Sequence, residues 1–350
     1  IDSPPLPYGL FVLGEPNHAL PSLSFTLMVP AGCVHDPPDR AGLAGFSCEM
    51  ALRGAGDRNS RQMVEALDGL GVERSESVSV SHMSCTGATH ADNLIAALEL
   101  FADVVQRPQL PDEEFEASRQ VMLQELFAIE DDPPQRVMLE LKRRRYGTPC
   151  GQSSHGDLAG IQAIGADDVR EFIGGHYGPT GTILGIAGRF DWNLIKREVE
   201  RRFGDWPAGG APDPSVVPGG VENTHVHDDT QQTQIGVAYP RVCYRDDEYF
   251  QALGAVGALS GGMSSRLFTE VREKRGLCYS VYASTHTLKE IGSVLCYAGT
   301  SADRAQETLD VLVGELVRLA DGVEQSEVDR LRARVKSSLV MQQESSAARS

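Results

Sequence analysis

Residues 85–126 read CTGATHADNLIAALELFADVVQRPQLPDEEFEASRQVMLQEL, and residues 296–339 read CYAGTSADRAQETLDVLVGELVRLADGVEQSEVDRLRARVKSSL. Each stretch leaves a strand at a cysteine, Cys85 or Cys296, and passes through Gly and Thr to an Ala-Asp pair. Each then runs through a long amphipathic helix, a short acidic loop and a second helix. Ala91-Asp92 and Ala302-Asp303 hold the same place, 211 residues apart. Two αα-hairpins can resemble each other by chance. A shared strand-to-helix junction is harder to obtain that way, and it points to an internal duplication.

Outward from these copies, the rest of the chain fits two halves. GLFVLGEPN (9–17) and LSFTLMVPAG (23–32) read as strands, and a helical period runs from Asp39 to about Leu52. Asn59 is placed to cap a helix ending near Leu70. Residues 72–89 alternate with period two, as a strand pair does. Helices follow to about His176, then a strand at GTILGIAG (181–188) and a helix to about Phe203. After the Pro- and Gly-rich stretch GDWPAGGAPDPSVVPGGV (204–221) the pattern restarts with a strand in THVHDDTQQTQIGVAYP, helices at YFQALGAVGALS and SSRLFTEVREK, two strands and two helices. The expected organisation is a first domain over 1–205, a linker over 206–221 and a second domain over 222–350. The second copy reaches Ser350 inside a helical pattern, so the second domain is expected to be C-terminally incomplete. The fold class is α+β: two similar domains, each a mainly antiparallel sheet with helices packed on it.

Composition narrows the function. The chain has 350 residues, 41% of them apolar, and a net charge of −17. That length favours two cores over one. The charge disfavours nucleic acid and anionic membrane partners and suits basic peptides. No run of about 18 apolar residues is present, so no membrane span is expected. The cysteines are Cys33, Cys48, Cys85, Cys150, Cys243, Cys278 and Cys296, an odd number with no C-x-x-C pair. Free thiols in a reducing compartment account for them, which favours a cytoplasmic over a periplasmic location. No G-x-S-x-G elbow or cysteine-nucleophile signature occurs. His225 and His227 form H-x-H within the predicted strand and would face one side of it, as a metal pair or as a polar strand face.

Four segments resemble the pitrilysin (M16) family of zinc peptidases, which includes the mitochondrial processing peptidase subunits. They are PAGCVHDPPDRAGLAGFSCEMALRGAG (30–56), VMLQELFAIEDDPP (121–134), HYGPTGTILGIAGRFD (176–191) and MSSRLFTEVREKRGLCYSVYAS (263–284). The resemblance implies two similar α+β domains and, in active members, an H-x-x-E-H helix. There, two imidazoles at i and i+4 share one Zn²⁺, the Glu takes a proton from the metal-bound water, and a downstream Glu is the third ligand. Laid on this sequence, the ligand positions fall on Gly45 and Glu49, the base on Cys48 and the downstream ligand on Glu125. Only Glu125 matches the motif. A substitute site from Cys48, Glu49 and Glu125 has poor geometry, because helical neighbours point about 100° apart. No metal is expected on this chain.

The resemblance also implies that Arg272 and Tyr279, in REKRGLCY, hold substrate and stabilise the developing oxyanion at the zinc site. Gly261-Gly262 lies where the non-catalytic processing-peptidase subunit has a longer glycine-rich loop, a position that a plain helix-start turn explains equally. Loss of the metal motif beside a kept Arg/Tyr pair resembles the non-catalytic, substrate-binding subunit of a heterodimeric M16 metallopeptidase. Its partner would carry H-x-x-E-H and the zinc, and a peptide would be the substrate. The alternative is a structural M16 homologue, similar to the core subunits of respiratory bc-type complexes, with no part in proteolysis.

Overall fold

A computed structural model describes residues 6–209, 219–220, 223–227 and 230–350. In chain order the elements are β1 (Phe11–Pro16), β2 (Ser22–Val29), α1 (Leu43–Ala51), a short hairpin of β3 (Gly54–Ala55) and β4 (Arg58–Asn59), α2 (Ser60–Gly69), β5 (Glu73–Val78), β6 (Met83–His90), α3 (Leu94–Gln106), α4 (Phe115–Glu130), α5 (Pro133–Tyr146), α6 (Leu158–Ala163), α7 (Ala166–His176), β7 (Ile183–Gly188) and α8 (Trp192–Phe203). Then come β8 (Gln232–Arg241), α9 (Tyr249–Ser260), a π-helical turn (Phe268–Glu273), β9 (Cys278–Thr287), β10 (Gly292–Ser301), α10 (Ala305–Arg318), α11 (Gln325–Glu344) and α12 (Ser346–Arg349).

Local chemistry explains several boundaries. Asn59 caps α2 as its sequence position demands. Its side chain accepts from the Gln62 N–H at 3.0 Å, and the Gln62 side chain accepts from the Asn59 N–H at 3.0 Å, a complete capping box. The repeat is visible as the same local path twice. β6 and β10 each end in a 3-10 turn on the Ala-Asp pair, Ala91–Asn93 and Ala302–Arg304, before α3 and α10. One expected strand is shorter than its pattern. β8 begins at Gln232, so His225 and His227 lie in irregular, exposed chain and the alternation argument for them does not apply. Most of the linker stretch 206–221 lies outside the described residues.

Apart from the β3-β4 hairpin, the strands of the described residues form two separate sheets, one of five strands in the order β1-β7-β2-β6-β5 and one of three in the order β8-β10-β9. Among the described residues only β1 and β7 pair in parallel; the other strand pairings are antiparallel. Each sheet has its own core. Phe25, Leu27 and Leu184 pack with Phe46 and Phe101 in the first, and Val294, Cys296 and Leu312 with Leu259 and Val271 in the second. Among the described residues no helix is long and apolar enough to cross a membrane.

The compact units differ from a cut at the linker. Unit 1 takes in residues 1–127, 152–215 and 341–350, and unit 2 takes in 128–151 and 216–340. The cause is α5, whose apolar face belongs to the second sheet. Val137 and Leu141 close over Gly236 on β8, where an added Cβ would lie 3.3 Å from Val137 Cγ2. Tyr146 is fully buried, and its hydroxyl lies 2.8 Å from His286 Nδ1 on β9. The end of the chain does the reciprocal thing. The serine hydroxyl of Ser350, beyond α12, lies 3.1 Å from Ser24 Oγ and 3.2 Å from Thr26 Oγ1 on β2. Shifted by the 211-residue repeat, the first lent segment would begin at 339, close to the Met341 at which unit 1 resumes.

The Tyr146–His286 contact has a pH consequence. Burial, with Lys142 nearby, pushes His286 down to about 4. A histidine depressed on folding contributes stability that is complete above its unfolded value, near 6.5, and is lost as pH falls from there through 4. Denaturant titrations of wild type and His286→Gln at pH 7 and pH 4.5 are expected to show a smaller acid loss in the variant. Equal losses in the two proteins would contradict this.

Candidate functional site

The helix that would carry the metal motif is α1, and its start is built by Asp36 and two glycines. The Asp36 carboxylate accepts from the Gly42 and Ala44 N–H groups, both at 2.8 Å, and so satisfies donors that the helix cannot satisfy itself. Gly42 has φ +98, and Gly156, in the facing loop, has φ +68. A Cβ on Gly156 would lie 2.3 Å from the Ala41 carbonyl oxygen. These two glycines let the loop 152–157 lie directly on the first turn of α1.

That loop closes the first ligand position. A Cβ at Gly45 would lie 2.7 Å from the Ser154 carbonyl oxygen and 3.0 Å from Met122 Cε. A side chain at 45 therefore meets backbone before it reaches any metal. Gly45→Ala tests this wall. Helix propensity alone favours the alanine by about 1 kcal/mol. Displacing a backbone oxygen costs about 1–3 kcal/mol, so net destabilisation of roughly 1 kcal/mol is expected in urea titration. A more stable variant would mean that the loop yields freely.

Positions 48 and 49 are equally committed. Cys48 lies in the core, and burial, reinforced by the carboxylates of Glu76, Glu49 and Glu125, pushes its thiol up to about 12. A thiol held protonated cannot serve as the general base at neutral pH. Glu49 is gripped by the guanidinium of Arg53, whose Nε donates to Oε1 at 2.9 Å and whose Nη2 also donates to it, while Arg53 reaches on to Glu114 at 3.4 Å. Glu125 is exposed on α4. Among the described residues no group of three or more His, Cys, Asp or Glu side chains is placed to hold a metal ion. The side chains at 45, 48, 49 and 125 do not fit a zinc centre of the H-x-x-E-H type.

In the second unit, Arg272 and Tyr279 come together. The Arg272 guanidinium lies 4.9 Å from the centre of the Tyr279 ring and 4.8 Å from that of Phe268. Tyr279 is 82% exposed. Among the described residues Arg272 forms no ion pair. The frame beneath is firm. Leu267, Val271 and Leu277 are buried, and Gly276, at φ +58, turns the chain from the helix into β9. Arg304, from the second repeat junction, clamps that turn by donating to the carbonyls of Gly276 at 2.8 Å and Arg275 at 2.9 Å. The segment expected as an ordinary helix is π-helical over Phe268–Glu273, with the Lys274 N–H bonded to the Thr269 carbonyl at 2.9 Å. Such single π turns recur at functional sites. Gly261-Gly262 sits in the turn between α9 and this segment, with Gly262 at φ +152 and Met263 exposed.

Sequence reasoning missed Asp36, Ser154, Met122 and Phe268. Phe268 stands four residues before Arg272, one helical turn, which was the available signal. Asp36 could have been found as an acid six residues ahead of a helix that starts on glycine. Nothing local marked Ser154 as the wall over Gly45.

Two repeated α+β units, one with a metal-motif helix closed by its neighbours and one presenting an Arg/Tyr pair, define a two-domain, peptidase-like architecture. Residues 12–156 match the family model for insulinase (peptidase family M16), and residues 163–335 match that for the peptidase M16 inactive domain. The chain belongs to the M16 peptidase family. It is similar to an uncharacterized zinc protease of Rickettsia bellii, at 29% identity over 346 residues, spanning 98% of this chain and 84% of that one. A Streptomyces coelicolor protein of the same description is 29% identical over 353 residues, spanning 96% and 76%. Among solved structures, a peptidase M16 inactive domain from Pseudomonas fluorescens superposes with a TM-score of 0.88 at 24% identity, covering 95% of this chain and 82% of that one. A protease from Helicobacter pylori does so with a TM-score of 0.88 at 18% identity, covering 99% and 86%. At these identities the two structures speak to the fold alone.

Proposed function

We propose that this chain is the non-catalytic, substrate-binding subunit of a two-subunit M16 zinc metallopeptidase. It presents Arg272 and Tyr279 to the active site of a partner that carries H-x-x-E-H and the zinc. The observation that carries the reading is a contrast: positions 45, 48 and 49 are sterically or electrostatically committed, while an unneutralised guanidinium stands beside an exposed phenol. A guanidinium and a phenol are hydrogen-bond donors suited to a peptide carbonyl oxygen as it gains charge. Arg272 contributes a planar fork and a fixed charge, and Tyr279 a single O–H donor. The partner would supply the activated water.

Peptide cleavage is to be assayed with this chain alone, with an H-x-x-E-H-bearing M16 protein from the same genome alone, and with the two mixed. Activity only in the mixture, with well under one zinc per copy of this chain after purification alone, supports the reading. A stable mixed complex without cleavage favours a scaffold. Chelator-sensitive cleavage by the lone chain overturns it.

A further inference from the structure

We infer that Phe268 is the positioning residue for Arg272: its ring and that of Tyr279 both contact the guanidinium, so that its donors are fixed before substrate arrives. The inference rests on Arg272 being a substrate-binding group. A lone arginine on a surface samples many rotamers, and each bond it makes to a ligand must first overcome that freedom. Here the guanidinium lies 4.8 Å from one ring centre and 4.9 Å from another, both within cation–π range. Guanidinium is planar and weakly hydrated, so aromatic stacking leaves its N–H edge free for a carbonyl. Among the described residues no carboxylate competes for that edge in an ion pair. The backbone serves the same end. The π turn spans Phe268 to Glu273, so both Phe268 and Arg272 belong to one short rigid segment anchored by Val271.

The test separates ring electronics from mere packing and does not depend on the partner. In Nε-labelled arginine spectra of the whole chain, the Arg272 Nε–H signal is assigned by its loss in Arg272→Lys. It is expected to carry an upfield ring-current shift, to move toward the free-arginine position in Phe268→Leu, and to return in Phe268→Tyr. Leu keeps most of the volume and Tyr keeps the ring, so thermal melts of both check that folding is intact. In the active mixture, Phe268→Leu is expected to lower kcat about tenfold with KM little changed, as misplacement of a transition-state group does. Phe268→Tyr is expected to restore it. An Arg272 signal unmoved by Phe268→Leu overturns the inference. If the wild-type mixture cleaves nothing, the proposed function fails, and the spectra still decide the role of Phe268.

Discussion

In the mixed complex, Arg272→Ala is expected to lower kcat on a peptide substrate by about 10²–10³-fold, equivalent to about 3–4 kcal/mol of transition-state stabilisation. The size follows from the role. A donor aimed at an oxygen that becomes negative only in the transition state acts mainly on kcat, whereas uniform substrate binding would act on KM. Tyr279→Phe removes one neutral donor and keeps the ring that stacks on Arg272, so its loss should be smaller. Arg272→Lys should not restore the activity, because an ammonium lacks the bidentate fork and stacks poorly on the rings of Phe268 and Tyr279. Steady-state kinetics of the reconstituted pair are the measurement. Unchanged kcat in Arg272→Ala, with the complex intact by size-exclusion chromatography, would leave the chain a scaffold.

The largest expected loss of stability comes from Asp36→Ala. The carboxylate is buried and accepts from the N–H groups of Gly42 and Ala44 at the start of α1. Alanine leaves two buried donors without partners, each costing about 1–3 kcal/mol, so a total near 3 kcal/mol is expected. The sign of its pH dependence follows from the carboxyl's environment. Burial, against the backbone N–H groups that favour the charged form, pushes Asp36 up to about 7. An acid raised on folding stabilises fully below its unfolded value, near 4, and that contribution fades as pH rises through 7. The gap between wild type and Asp36→Ala should therefore be widest near pH 4 and narrower by pH 8. Urea titrations across that range read it directly, and a gap that widens with pH would show Asp36 to be ionised throughout.

Much of the fold was open to reading because its signals are local. The Asn59 capping box needs only Asn59 and Gln62, and the alternation of 72–89 became β5 and β6 because a period of two fixes one face inward. The Ala-Asp junctions produced the same 3-10 turn in both halves. Where the reading fell short, the deciding interaction was distant. The stretch from Thr224 read as the start of a strand, yet among the described residues β8 pairing begins at Gln232, where Thr300 and Ser301 of β10 become available as partners. The Leu267–Glu273 stretch carries a helical period, yet Phe268–Glu273 is π-helical, with Leu267, Val271 and Leu277 buried in one core.

Taken alone, the sequence determined that positions 45, 48 and 49 hold no imidazole or catalytic acid, that the chain is duplicated with a 211-residue offset, and that Arg272 and Tyr279 share a helix-turn-strand. These are matters of residue identity and short-range spacing. Tertiary structure decided the rest: the Ser154 carbonyl closed over Gly45, the Glu49 carboxylate engaged by Arg53, α5 delivered to the second sheet, and Arg272 set against two rings. Each of these depends on a contact whose partner is chosen by packing, and no local pattern specifies which distant group fills the space.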